Sequence, residues 1–147
     1  FAQIEKIDEK IELIIVGDGP SKSSLKQLAY SLSIKNVLFT GKQIENSHFF
    51  WRSADLFIQP GLGGLAISEA MCYSLPILCS NGDGTEFDLV TQKNGIIEHD
   101  MNTENLLKHI LYFQKNNKIN LMGKESRRLI EEKYNSDNMI QGFLNAI

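Results

Sequence analysis

Cysteine, histidine, proline and tryptophan are scarce in this chain, with two, three, three and one copies among 147 residues. Each shortage removes a class of function. Cys72 and Cys79 both lie in the most apolar stretch and read as reduced core residues, which leaves no disulfide framework and fits a reducing compartment. His48, His99 and His109 are widely spaced, so neither a metal ligand set nor a Ser-His-Asp constellation is visible. No apolar run approaches the roughly 20 residues that span a bilayer, and the opening Phe-Ala-Gln-Ile-Glu-Lys lacks the form of a signal peptide. Massed positive charge is missing as well: the formal charge is -3, with Lys and Arg scattered, which argues against a nucleic-acid surface and leaves a charged small molecule as ligand. A hydrophobic content of 42% suffices for one packed core, and a single domain over residues 1–147 is expected.

What is present alternates between two periods. Ile11 to Val16 is a β-rich run ended by Gly17-Asp18-Gly19-Pro20, after which Leu25, Leu28, Ala29 and Leu32 recur at helical spacing. Strands are predicted at Asn36 to Thr40, Asp55 to Gln59, Pro76 to Ser80 and Gly95 to Glu98. Helices are predicted at Asn46 to Ser53 and Gly64 to Ser74. Strands separated by helices and buried on both faces imply an α/β fold with a doubly wound parallel sheet. Beyond residue 100 the pattern is helical only, through Leu106, Leu107, Ile110 and Leu111, then Ile119, Met122, Leu129 and Ile130, then Ile140, Phe143, Leu144 and Ile147. This tail is expected to pack on the sheet. Phe1, Ile4 and Ile7 read as the end of a helix, so a strand ahead of Phe1 is expected in a longer protein from which this chain is excised.

The loops Gly17–Pro20, Gly41–Glu45, Gln59–Gly64 and Asn81–Asp88 all leave carboxyl ends of predicted strands, where open parallel sheets bind ligands. The richest is Asp55-Leu-Phe-Ile-Gln-Pro-Gly-Leu-Gly-Gly-Leu-Ala-Ile-Ser-Glu-Ala-Met71, a strand that breaks at Pro60-Gly61, passes Gly63 and Gly64 and enters a helix carrying Glu69. Glycines let the backbone approach a ligand, and a helix start offers unpaired N–H groups to an anion, most simply a phosphate. Glu69 reads either as a ligand contact or as a carboxylate favoured near the helix start. Gly17-Asp18-Gly19-Pro20 lacks the glycine spacing of a dinucleotide fingerprint and reads as a turn. Asn81-Gly82-Asp83-Gly84 with Glu86 and Asp88 lacks the ligand spacing of a calcium loop, so no metal site is expected.

The blocks Glu-Leu-Ile-Ile-Val-Gly-Asp-Gly-Pro, Asn-Val-Leu-Phe-Thr-Gly, Ser-Ala-Asp-Leu-Phe-Ile-Gln-Pro and Glu-Ala-Met-Cys-Tyr-Ser-Leu-Pro-Ile, in this order, resemble the C-terminal half of retaining glycosyltransferases of family four, which have two Rossmann-like domains in the GT-B arrangement. The resemblance covers nearly the whole chain. It implies a domain that binds a nucleotide diphosphate sugar as substrate, with no cofactor or metal, for retaining hexosyl transfer to a hydroxyl. Two glutamates eight positions apart bracket the loop in that family; the second matches Glu69, expected on the donor ribose, and Gly61 stands where the first would be. Sugar contacts would then come from backbone N–H groups of Gly63, Gly64, Leu65 and Ala66, or from elsewhere. Gly41, Lys42 and Gln43 correspond to the region against the nucleobase, and Asp88 to a position where a glutamate is common. The resemblance places no catalytic residue in this fragment, and the diphosphate-neutralising basic pair and acceptor site in the missing part. The isolated chain is expected to be inactive. A glycan or lipid-linked acceptor, polysaccharide assembly, a cytoplasmic location and peripheral association of the full-length protein with the inner membrane face are family-level expectations.

Two rival readings differ in class. A sugar-nucleotide epimerase of the same architecture would need paired acid–base residues, which this half lacks. A non-catalytic doubly wound interaction module would use Phe49, Phe50 and Trp51 as its patch, although helix packing also explains that triplet.

Overall fold

The computed structural model describes residues 1–61, 64–115 and 118–146. Its chain divides into two compact units, Phe1–Ser53 and Ala54–Ile147. The N-terminal unit runs α1 (Ala2–Ile7), β1 (Leu13–Val16), α2 (Lys22–Ser31), β2 (Val37–Gly41) and α3 (Ser47–Ser53). Strands β1 and β2 pair in parallel, Leu13 opposite Val37 and Ile15 opposite Phe39, with an irregularity before Val16 pairs with Gly41. Ile4 of α1 is buried, and the Glu5 carboxylate accepts the backbone N–H groups of Lys35 (2.9 Å) and Asn36 (2.6 Å). That contact spans about thirty residues of chain and fixes the turn that feeds β2.

The C-terminal unit runs β3 (Phe57–Gln59), α4 (Leu65–Cys72), β4 (Ile77–Ser80), α5 (Thr85–Leu89), β5 (Gly95–Glu98), α6 (Thr103–Lys115), α7 (Lys118–Glu132) and α8 (Ser136–Asn145). Its strands pair in parallel in the order β3-β4-β5. Parallel neighbours need crossovers, and α4 and α5 supply them. The core forms where Leu78 of β4 meets Phe113 of α6 and Met122 of α7, with Leu56, Ile58, Ile96, Met101, Leu106, Ile110 and Ile119 around them. Two main-chain contacts dock α7. Gly123 sits against the Ser74 carbonyl, and the Arg127 guanidinium donates to the Cys72 carbonyl at 2.5 Å. Together they close the end of α4, where Ser74 turns the chain with φ +60.

Parallel pairing and strand–helix alternation match the expectation from sequence, while burial departs from it in three places. Among the described strands, β4, central in β3-β4-β5, is buried along most of its length, whereas β1 and β2 of the two-stranded ladder are half-exposed. On α2, Ala29 is buried whereas Leu25, Leu28 and Leu32 are 42–53% exposed. The third helix of the tail does not pack as expected either: Ile140, Phe143 and Leu144 of α8 are 50–67% exposed, and Ile147 lies outside the described residues. The apolar period of a helix reports a face able to bury, and burial requires a partner that these faces do not meet here.

Candidate functional site

In the C-terminal unit the Pro60-Gly61 break ends β3, and the chain re-enters helix at Leu65 after Gly64, the residue preceding α4. Gly64 has φ 59 and ψ -151, a conformation essentially closed to side-chain-bearing residues, so the backbone entering α4 requires glycine there. Among the described residues, no side chain caps α4. Leu65 is 88% exposed, Ala66 is half-buried, and Ile67, Ala70 and Met71 carry the buried face. The helix is anchored by one side and leaves its start open. Gly61 is exposed, and a Cβ built on it meets nothing within 4 Å. Gly63 lies outside the described residues.

Glu69 is the fifth residue of α4 and exposed, rather than a carboxylate of the opening turn. The helix-start reading weakens accordingly, since the dipole acts within the first turn. What remains is a polar side chain on the solvent face of an apolar helix, one turn beyond an uncapped start.

The neighbouring loop is organised by Glu86, which the sequence offered only as one oxygen of a rejected calcium loop. Glu86 is fully buried, and its two carboxylate oxygens accept the N–H groups of Gly82 (2.6 Å) and Gly84 (3.1 Å). The Gly82 hydrogen bond is the main cause holding its carboxyl below the usual carboxylate range. With both oxygens occupied by amides, Glu86 is an internal brace of the 81–84 turn and not an outward metal ligand. Asp88 is exposed, and its main-chain carbonyl accepts from the Tyr134 hydroxyl. The sequence signal was available in Gly-Asp-Gly-Thr-Glu, a carboxylate two residues beyond a glycine turn. Ser80 Oγ donates to the Gly61 carbonyl at 3.3 Å, joining the loops after β4 and β3. Among the described residues, no cluster of three or more His, Cys, Asp and Glu is arranged to hold a metal ion.

At the end of β5, His109 Nε2 lies 2.7 Å from Glu98 Oε2. That hydrogen bond, followed by the Asp100 N–H, holds the Glu98 carboxyl below its ordinary range. His109 is thus neither a lone surface group nor simple packing, and it positions α6 on β5. His99 is exposed, and His48 contacts the Glu45 carbonyl and the Phe49 ring. Phe49 is 62% exposed, with Phe50 and Trp51 half-buried. Both cysteines are free thiols; burial pushes the Cys79 thiol up to about 11.

The N-terminal unit carries the other expected contacts. Gly41 is buried with φ +74, Lys42 is exposed, and Gln43 Nε2 donates back to the Thr40 carbonyl at 3.0 Å. The Gln43 side chain shapes its own loop, while Lys42 is free to extend into solvent. Gly17 N–H donates to the Gly41 carbonyl at 2.9 Å and links the two loops at the carboxyl ends of β1 and β2.

Paired parallel strands with crossover helices, and a glycine-broken strand leading into a helix, are features of a Rossmann-like α/β fold, of the kind seen in the C-terminal half of GT-B glycosyltransferases. Residues 1–136 match the model of the family "Glycosyl transferases group 1", and the chain belongs to that family. An uncharacterized glycosyltransferase of Methanocaldococcus jannaschii is 30% identical over 135 residues, covering 88% of this chain and 34% of that protein. Alpha-monoglucosyldiacylglycerol synthase of Streptococcus pneumoniae is 30% identical over 98 residues, covering 63% of this chain and 22% of its own. Among solved structures, HepE of Anabaena in complex with UDP-glucose superposes with a TM-score of 0.77 at 19% identity, over 94% of this chain and 42% of that one. At that identity the likeness is one of fold. The chain spans about a third or less of the length of these two curated relatives.

Proposed function

We propose that this chain is the donor-binding part of a glycosyltransferase that moves a hexosyl group from a nucleoside diphosphate sugar to a hydroxyl acceptor with retention at the anomeric carbon. The observation that carries the reading is the exposed, uncapped start of α4 behind Gly64, with Glu69 on the solvent face. Free N–H groups at a helix start suit a diphosphate, both when the donor is bound and when it departs. Gly64, Leu65 and Ala66 offer those groups, Glu69 accepts from the ribose hydroxyls, and Gly41, Lys42 and Gln43 lie against the base. The nucleotide sugar is a substrate in this scheme, and no cofactor or metal is invoked. HepE crystallised with UDP-glucose supports a donor of this class.

The rest of the longer protein would bring the acceptor site and the cations that neutralise the diphosphate, so the isolated chain is expected to bind donor poorly and transfer nothing. A glycan or lipid-linked acceptor is proposed from family membership, and the synthase of S. pneumoniae is named for a diacylglycerol glycolipid. No described helix is long and apolar enough to cross a membrane. Peripheral association of the full-length protein with a membrane, and a cytoplasmic location at its inner face, are proposed from family membership alone.

Titration of the full-length protein with uridine, guanosine, adenosine and thymidine diphosphates and their sugars tests the reading. Selective binding of one diphosphate that weakens in Glu69→Ala supports it. Absence of binding to every one of them overturns it in favour of a non-catalytic interaction module.

A further inference from the structure

The Gly17–Pro20 turn carries more than a change of direction. With Ile15, Leu25 and Phe39 it lines a cavity of about 330 Å³ at the carboxyl ends of β1 and β2. Asp18 Oδ1 and Lys22 Nζ form an ion pair of 3.3 Å on its wall, the two side chains being 53% and 30% exposed. Lys22 also reaches across to the second loop: a Cβ built on Gly41 would stand 3.2 Å from its ammonium nitrogen. The Gly17–Gly41 main-chain hydrogen bond holds that geometry. An exposed ion pair contributes little to stability, so its worth is better sought in recognition. An ammonium has three donors and a carboxylate about four acceptor sites, so after pairing with each other both retain hydrogen-bonding capacity, side by side, beside an apolar floor of Phe39 and Leu25.

A flat ring with a carbonyl next to an N–H complements that pair. Resting on the reading that the loop after β2 faces the nucleobase, we propose that Asp18 and Lys22 select the base of the donor, Lys22 donating to a ring carbonyl and Asp18 accepting from the adjacent ring N–H. Uracil, thymine and guanine present that edge. Cytosine and adenine present an amino group beside a bare ring nitrogen, which reverses the order of donor and acceptor. A donor and an acceptor held side by side match one edge and leave the reversed edge with two hydrogen bonds unmade.

The test is the ratio of dissociation constants for CDP and UDP, and for ADP and GDP, measured by calorimetry on the full-length protein, on Lys22→Met and on Asp18→Ala. The wild type is expected to favour UDP over CDP, or GDP over ADP, by about tenfold or more, the scale of one charge-assisted hydrogen bond. Each substitution should bring the ratio toward one with CDP or ADP affinity retained, which also shows that the variant is folded. A ratio unchanged in both variants, or a wild type that prefers CDP and ADP or has no preference, overturns the assignment while leaving the donor-site reading standing. Binding of no nucleotide at all removes both.

Discussion

Gly123 lies so close to Ser74 that a Cβ built on it would stand 2.0 Å from the Ser74 carbonyl oxygen. Real side chains do not approach backbone oxygen at that distance, so α7 and the turn after α4 can touch here only because the residue is glycine. Gly123→Ala should force the helix off the turn and weaken the neighbouring Arg127 contact to the Cys72 carbonyl. A loss of about 3 kcal/mol, at the upper end of overpacking costs, is expected from urea unfolding. A variant of wild-type midpoint would mean that α7 slides without penalty.

Ser126, one turn further along α7, is fully buried and its hydroxyl has no hydrogen-bond partner among the described residues. Removing an unsatisfied hydroxyl spares its desolvation cost, so Ser126→Ala should be neutral or stabilising by about 1 kcal/mol. A clear fall in the urea midpoint would show that the hydroxyl is bonded in solution.

Glu86 and Glu98 give the fold an acid-sensitive component. Both carboxyls titrate lower in the folded chain than their ordinary value, Glu86 through the Gly82 N–H and Glu98 through His109. Their contribution is therefore fully present above the unfolded carboxylate pKa of about 4.3 and is lost as pH falls through the lower folded values. Unfolding midpoints should hold from pH 7 to 5 and drop below about pH 4. Glu86→Gln, which replaces one acceptor oxygen with a donor facing a backbone N–H, should lower the neutral-pH midpoint and flatten the acid limb. An acid limb parallel to wild type would exclude Glu86 as one of its causes.

Cys79 is buried on β4 and its thiol is held near 11, so almost none of it is thiolate at pH 8. A disulfide reagent at that pH should modify Cys72 first and reach Cys79 only on unfolding. Counting thiols by mass before and after denaturant decides this; equal rates for both would mean that β4 opens freely.

Gly61 stands in open space, with nothing within 4 Å of a built Cβ. Gly61→Glu should accordingly change stability by no more than about 0.5 kcal/mol, as at other unconstrained surface positions. Donor affinity in the full-length protein then becomes informative: retained or tighter binding would mean that the space is free, and its loss would mean that donor or another group occupies it.

The sequence was most legible where short-range chemistry decides. The alternation of periods placed all five strands, and Gly95–Glu98 was located to the residue. The predicted Ile11 start gave way to Leu13, and the helix predicted to reach Ser74 ends at Cys72. Its end depends on Ser74 adopting a positive φ beside α7, a contact across about fifty residues that no local pattern encodes. Within the candidate site, the glycine-broken strand and the helix start were readable because proline and glycine act on their own backbone. The orientation of charged groups was not. Glu69 turned outward, Glu86 inward and Asp88 outward, and the same letter in a loop becomes a brace or a solvent group according to which amides surround it.

The sequence by itself thus determined the class of fold and the glycine-broken strand ahead of α4, because each depends on composition or on periodicity within one element. Only the tertiary structure decided which apolar faces are covered, with α6 and α7 closing over β4 while the stripes of α2 and α8 stay exposed. It also decided that Lys22 reaches across to Gly41 beside Asp18, and that Glu86 binds the Gly82 and Gly84 amides. The physical reason is common to all of these: burial and hydrogen bonding are properties of pairs, and a sequence states only one member at a time.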